Sequence, residues 1–263
     1  MISIVYMMLT GGAVLFVLFT LTWILQLKTK NAGIVDTIWT ISFPALTLCY
    51  FILSDGFLSR KIFLLGIVSA WGLRLGIHLL VRTIGHEEDS RYTALREIWG
   101  EKQNLRMLRF FYIQAVLALT LSIPFAIIES NSQPALSTIE IIGAVVWFFS
   151  VVGESIADYQ LKKFKANAAN KGKVCDVGLW HYSRHPNYFF EWMIWVSYFI
   201  IALGSPWGII TLICPSLMLF FLLRVTGIPY TEEQSLKSKG NAYADYQKTT
   251  SAFIPWRKKV VKR

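Results

Sequence analysis

Residues 1–27 carry no charged side chain. A stretch of that length and character fits a helix crossing a hydrocarbon core of about 30 Å. It is longer than the apolar core of a cleavable signal, so the sequence predicts a retained first span. Six further apolar segments follow, at residues 36–54, 61–82, 107–128, 138–160, 187–203 and 206–224, the last two meeting at the short hinge Gly204-Ser205-Pro206. With 54% of its residues hydrophobic and 16% charged, the chain is too apolar for a soluble domain. The expected fold is an all-α integral membrane protein, a bundle of about seven transmembrane helices ending in short C-terminal cytoplasmic helices. Residues 1–263 form a single membrane domain in this reading. Cys49, Cys175 and Cys214 have no paired spacing, so neither a disulfide framework nor a metal site is expected.

The net charge of +10 is unevenly placed. Lys28 and Lys30 follow the first segment, Arg91, Arg96, Lys102 and Arg106 the third, a run from Lys162 to Arg184 the fifth, and a run from Lys237 to Arg263 the seventh. The alternate connections carry only Arg60 and Lys61. By the positive-inside rule this puts the N-terminus outside and the C-terminus in the cytoplasm of a multi-pass protein of the cell's inner (plasma) membrane. Topology alone accounts for most of these cations, so no nucleic-acid partner is implied. The partners expected are the bilayer and a hydrophobic small-molecule substrate, with no obligate protein partner.

With that orientation, the helix rise of about 1.5 Å per residue sets the depth of each polar side chain. Arg74 and His78, Glu154 and Asp158, Asp36, Gln114 and Glu191 all fall in the cytoplasmic half. Arg74 with His78, and Glu154 with Asp158, are four apart and share a helix face. Ionisable groups at one depth on several helices imply a polar pocket open to the cytoplasm. The alternative is a buried ion-pair network that only locks helices together.

From Gly178 to Glu191 the chain brings Arg184, His185, Asn187 and Glu191 to the edge of an apolar helix. Pro186 suits the first turn of that helix, which sets Asn187 and the following amides at its positive end. Such a start beside Arg184 suits an anion, or else anchors the chain among lipid headgroups. The basic segment between Phe164 and Val177 makes a plausible collar for a phosphate-bearing ligand, or a strip drawn to anionic lipid. Beyond the seventh segment, Thr231 before Glu232, Glu233 and Gln234 reads as a helix start and Gly240 as a stop. Tyr243 and Tyr246 mark one face of a second short helix, and the two helices are expected to fold back as a lid.

The combination of Ser183-Arg-His-Pro-Asn-Tyr188, the Glu232-Glu233 pair with Gly240-x-x-Tyr243-x-x-Tyr246, and the closing Phe253-Ile-Pro-Trp256 resembles bacterial membrane proteins related to the steroid 5α-reductases. These belong to a larger group with the sterol reductases and the isoprenylcysteine carboxyl methyltransferases. The resemblance covers most of the chain and is strongest over about residues 153–256, the expected reductase-like core. It implies an NADPH site in which Glu154, where the reductases have Asn, and Asp158 face Asn187 and Glu191. Lys165 replaces an Arg of that pattern, and Arg184, His185, Tyr188, Tyr243 and Tyr246 complete the cofactor-binding set. The reductases' carbonyl-polarising tyrosine is matched by Leu79, next to His78, and their Gln-Glu pair has no clear counterpart, although Asp36 lies near.

The resemblance therefore implies an NADPH-dependent reductase of a carbon–carbon double bond in a lipid, steroid or isoprenoid-like substrate, with His78, Asp36 or Tyr188 as proton donor. Two alternatives stand beside it. One is a methyltransferase acting on a lipid or prenyl group with S-adenosylmethionine as cofactor. The other is a non-catalytic lipid-binding protein.

Overall fold

A backbone surrounded by lipid must satisfy its own N–H and C=O groups, and within one segment only a helix does so. The computed structural model describes residues 4–259, and among them it has eleven α-helices and no β-strand. Met1–Ser3 of the expected first span and the terminal Lys262 and Arg263 lie outside the described residues. Six stretches are long and apolar enough to cross a membrane. They are α1 (Ile4–Thr29), α2 (Ile34–Leu53), α3 (Leu58–Thr83), one along α5 (Gln103–Leu121) and α6 (Ile123–Glu129), α7 (Thr138–Ala166), and one through α9 (Ile213–Phe220). The segment expected as the sixth span is α8 (Pro186–Ala202), whose 17 residues sit at the short limit for a crossing helix. Three amphiphilic helices complete the set: α4 (Ser90–Trp99), α10 (Ile228–Lys239) and α11 (Asn241–Thr249).

The helices group into two compact units, Met1–Ser137 with Gly204–Gly208, and Thr138–Leu203 with Ile209–Arg263. In the first unit, Gly72 and Gly76 on α3 form a small-residue stripe against α2. A Cβ at Gly72 would come within 2.7 Å of Pro44, and one at Gly76 within 2.8 Å of Ile41. That spacing of four is the signature of close helix approach in membranes. In the second unit α7 and α8 meet in the same way. Cβ atoms at Gly143 and Gly153 would each fall 2.5 Å from side-chain carbons of α8, those of Ile201 and Phe190.

Prolines account for two breaks that hydropathy did not reveal. The expected fourth span, 107–128, is divided at Ser122, just before Pro124, which takes the first turn of α6 where its missing N–H is no loss. The expected seventh, 206–224, opens as a 3₁₀ turn at Gly208–Leu212 and continues as α9, with Pro215 at its start, then as a π turn at Phe221–Val225. Pro229 likewise starts α10 at Ile228, three residues before Thr231. Gly240, at φ +54°, ends it as expected. The short helix α4 had no sequence forecast. Asp89 caps it, accepting from the Arg91 N–H at 3.0 Å.

The two cations that interrupt the charge asymmetry are buried. Arg60 is 1% exposed and donates to the carbonyls of Asn131, Gln133 and Ala135 at 3.0, 2.7 and 2.6 Å. Lys61 donates to the Ser54 carbonyl at 2.7 Å. Truncation at Arg60 removes the donor that joins these three carbonyls, that of the buried Asn131 among them. Arg60→Ala is expected to cost about 2–4 kcal/mol, seen as a lowered midpoint of thermal unfolding in detergent, whereas the exposed Arg106→Ala should leave it within error.

Candidate functional site

The second unit gathers most of the residues singled out in the sequence. On α7, Glu154 is buried and Asp158 half-buried, one turn apart. On α8, Asn187 and Glu191 repeat that spacing, and the close approach at Gly153 lets Asn187 Nδ2 donate to Asp158 Oδ1 at 3.3 Å. Glu191 accepts from the Trp195 indole at 3.0 Å. Three carboxylates and an amide thus share one pair of helices, a set able to accept from hydroxyls and amides of a polar ligand. Lys165 is exposed at the last turn of α7. Half-burial, and then the neighbouring Lys165 ammonium, push Lys239 below its ordinary value. A like-charged pair of this kind is relieved by an anion. Sequence reading had not selected Lys239, because the two lysines stand on α7 and α10, far apart in the chain.

The Arg184-His185-Pro186 segment has a different setting. Pro186 opens α8 and His185 is its N-cap. Arg184 Nε donates to Glu232 Oε1 at 2.6 Å, and its Nη1 donates to the carbonyls of Thr250 and Gln247 at 2.5 and 3.1 Å. His185 Nε2 lies 3.2 Å from the same Glu232 oxygen. A carboxylate only accepts, so Nε2 carries the hydrogen. Gln247 Nε2 donates to the other Glu232 oxygen at 2.9 Å. Burial alone would raise the Glu232 carboxyl, but the hydrogen bonds from His185 and Arg184 outweigh it and hold it at about 2. Burial pushes the His185 imidazole below its ordinary value, against the pull of Glu232. The guanidinium expected to face an anion therefore clasps α10 and α11.

The aromatic residues extend this clasp. Tyr188 stacks on His185 with planes 6° apart, and its hydroxyl lies 3.2 Å from that of Thr231. Tyr243 and Tyr246 are buried on one face of α11, and Tyr246 donates its hydroxyl to the Trp180 carbonyl. Trp180 in turn donates to the Ala157 carbonyl at 2.9 Å. Gly178, at φ +57°, allows the turn here, since a Cβ would strike the Gln160 side chain at 2.3 Å.

The first unit holds Asp36 and His78. Asp36 accepts from Arg91 at 2.9 Å and from the Tyr92 hydroxyl at 2.6 Å. It lines a cavity of about 170 Å³ together with Asn31, Gly33, Leu79, Arg82 and Asp89. His78 is exposed on α3 and is not among the residues bonded to Asp36. Arg91 and Tyr92 reach the carboxylate because α4 presents them, and the Asp89 cap ahead of that helix was the signal that could have found it.

Comparison with known proteins adds a family. The chain belongs to the family described as protein of unknown function (DUF1295), which it matches over residues 22–250. It is similar to an uncharacterized protein of Schizosaccharomyces pombe, at 24% identity over 273 aligned positions covering 91% of this chain and 77% of the yeast protein. No solved structure matches the chain significantly.

The pKa values of His185 and Glu232 are both depressed, so each group stabilises the clasp above its unfolded value and ceases to do so as pH falls through its folded one. Loss of stability should begin below the ordinary histidine value of about 6.5 and deepen from about 4.5 toward about 2 as Glu232 protonates. Melting curves in detergent between pH 8 and pH 4 should show the upper step in the wild type and a weaker one in His185→Gln, whose side chain cannot acquire a proton. An identical profile in both would remove His185 from the account.

Proposed function

We propose that this member of the family is a membrane-embedded, NADPH-dependent reductase of a carbon–carbon double bond in an apolar, lipid-like substrate. Its cofactor-binding core lies within about residues 153–256, in one membrane domain oriented N-terminus outside and C-terminus cytoplasmic in the plasma membrane. The observation that carries the reading is the division of labour inside the second unit. Asp158 and Asn187 meet across α7 and α8, with Glu191 one turn further along α8, while the positive charge of Lys165 is felt at Lys239. Carboxylates suit ribose hydroxyls and a carboxamide, and paired ammonium groups suit phosphates. A phosphorylated dinucleotide needs both chemistries. S-adenosylmethionine has no phosphate for the lysines.

The residues present fit such a group. Glu154, Asp158, Asn187 and Glu191 would hold its hydroxyls and amide, and Lys165 and Lys239 its phosphates. The nicotinamide, when bound, supplies a hydride to one alkene carbon. The chain supplies orientation, a dry apolar surround and the proton for the other carbon. Within this unit the Tyr188 hydroxyl is a candidate donor, aligned by Thr231 and by the stacked His185 ring. Asp36 and His78 are candidates carried by the first unit. The clasp of Arg184 and Glu232 fixes α10, and with it Lys239 and Thr231.

Purified protein in detergent should be stabilised by NADPH more than by NADH, and not by S-adenosylmethionine. A ligand at a hundred times its dissociation constant adds about 2.7 kcal/mol. Asn187→Ala, and separately Lys165→Ala with Lys239→Ala, should each weaken NADPH at least tenfold, a change of about 1.4 kcal/mol. The lysine change should also narrow the preference over NADH. Stabilisation by S-adenosylmethionine alone would give the site to methyl transfer, and response to neither would leave a lipid-binding protein.

A further inference from the structure

After α11 the chain turns back along the start of α8. The Arg184 N–H donates to the Ser251 carbonyl at 2.8 Å, the Ser183 hydroxyl to the Phe253 carbonyl at 2.8 Å, the Trp256 N–H to the Tyr182 carbonyl at 3.0 Å, and the Lys259 N–H to the Thr249 carbonyl at 2.8 Å. These bonds hold a groove of about 480 Å³ whose walls include Arg184, Thr250, Ile254, Trp256, Arg257 and Lys259. Its charges are not equivalent. Arg184 at the floor is neutralised by Glu232, and Lys258 beside the groove pairs with Asp176. Arg257 and Lys259 are exposed and have no ion pair among the described residues. Next to them, Ile254 is 56% and Trp256 71% exposed, with Tyr182 at 47%.

Two uncompensated cations flanked by a large aromatic and an aliphatic side chain match an amphiphile better than a free ion. A free phosphate would satisfy Arg257 and Lys259 and leave Ile254 and Trp256 in water. A phospholipid covers both, since Trp and Tyr settle at the headgroup level and basic residues there attract anionic lipid. We propose that this groove binds the phosphate of an anionic phospholipid, with Arg257 and Lys259 on the headgroup and Ile254 and Trp256 against its glycerol and upper acyl chain. The site does not rest on the reductase reading, because Arg257, Lys259, Ile254 and Trp256 are outside the residues assigned to the nucleotide. Its consequence would be a C-terminal segment held at the bilayer surface by the same turn that clasps α10 and α11.

Native mass spectrometry of the full-length protein tests it, with short-chain phosphatidylglycerol and phosphatidylcholine as probes. The wild type should retain phosphatidylglycerol in preference to phosphatidylcholine. Arg257→Gln with Lys259→Gln should weaken phosphatidylglycerol on the order of tenfold. An equal charge loss at Lys102→Gln with Arg106→Gln should leave it unchanged. Trp256→Ala should weaken retention without altering charge. Should the double variant fail to fold, the exposed Lys259→Gln alone carries the test, with a loss of roughly threefold. Equal retention by wild type and groove variants, equal loss in the Lys102 and Arg106 variant, or no preference between the two lipids would each overturn the proposal. So would displacement of the lipid by equimolar inorganic phosphate or NADPH, which would make the groove a site for a free phosphate. NADPH binding to the wild type, measured separately, reports on the reductase reading alone.

Discussion

Between helices already surrounded by lipid there is no hydrophobic force to draw them together, so the distance of approach decides whether they hold. Gly72 and Gly76 let α3 close on Pro44 and Ile41, and Gly143 and Gly153 let α7 close on Ile201 and Phe190. The second contact has a chemical result. Gly153 precedes Glu154 directly, so the approach that admits the Phe190 ring also brings Asp158 within reach of Asn187 at 3.3 Å. Any side chain at Gly153 would press on Phe190 and separate Asp158 from Asn187.

Long apolar runs carry their own message, because a backbone in lipid has few options. The helical nature of the chain and the i, i+4 face of Glu154 with Asp158 were legible for that reason. The breaks at Ser122 and in the segment before α9 were not, since hydropathy averages over a single proline. The partners of Arg184 were equally hidden. Glu232 lies 48 residues away, and Thr250 and Gln247 contribute carbonyls, which carry no residue identity to read. Lys239 beside Lys165 and Tyr92 on Asp36 fall in the same class of long-range pairs. The residues were visible. Their company was not.

Charge that lies apart from the main clusters also has an assignment in the fold. Arg60 and Lys61 disturb an otherwise one-sided distribution of cations, and both turn inward to bind carbonyls at 2.6–3.0 Å. A buried guanidinium without such acceptors would cost several kcal/mol. The carbonyls of Asn131, Gln133 and Ala135 belong to an irregular turn with no helical donors of its own, so each group meets the other's need.

The Arg184-His185-Pro186 element directs its hydrogen bonds at the protein's own C-terminal helices. Every donor contact described for Arg184 goes to Glu232 or to the backbone of α11 and the turn after it, and the His185 hydrogen goes to the same carboxylate. A set of bonds of this kind specifies how those helices dock. Glu232, depressed to about 2, keeps its charge at neutral pH and there accepts from Arg184, His185 and Gln247 together. Lys165 and Lys239 differ from that set, since the charge of one disfavours the charge of the other and a nearby anion would ease both.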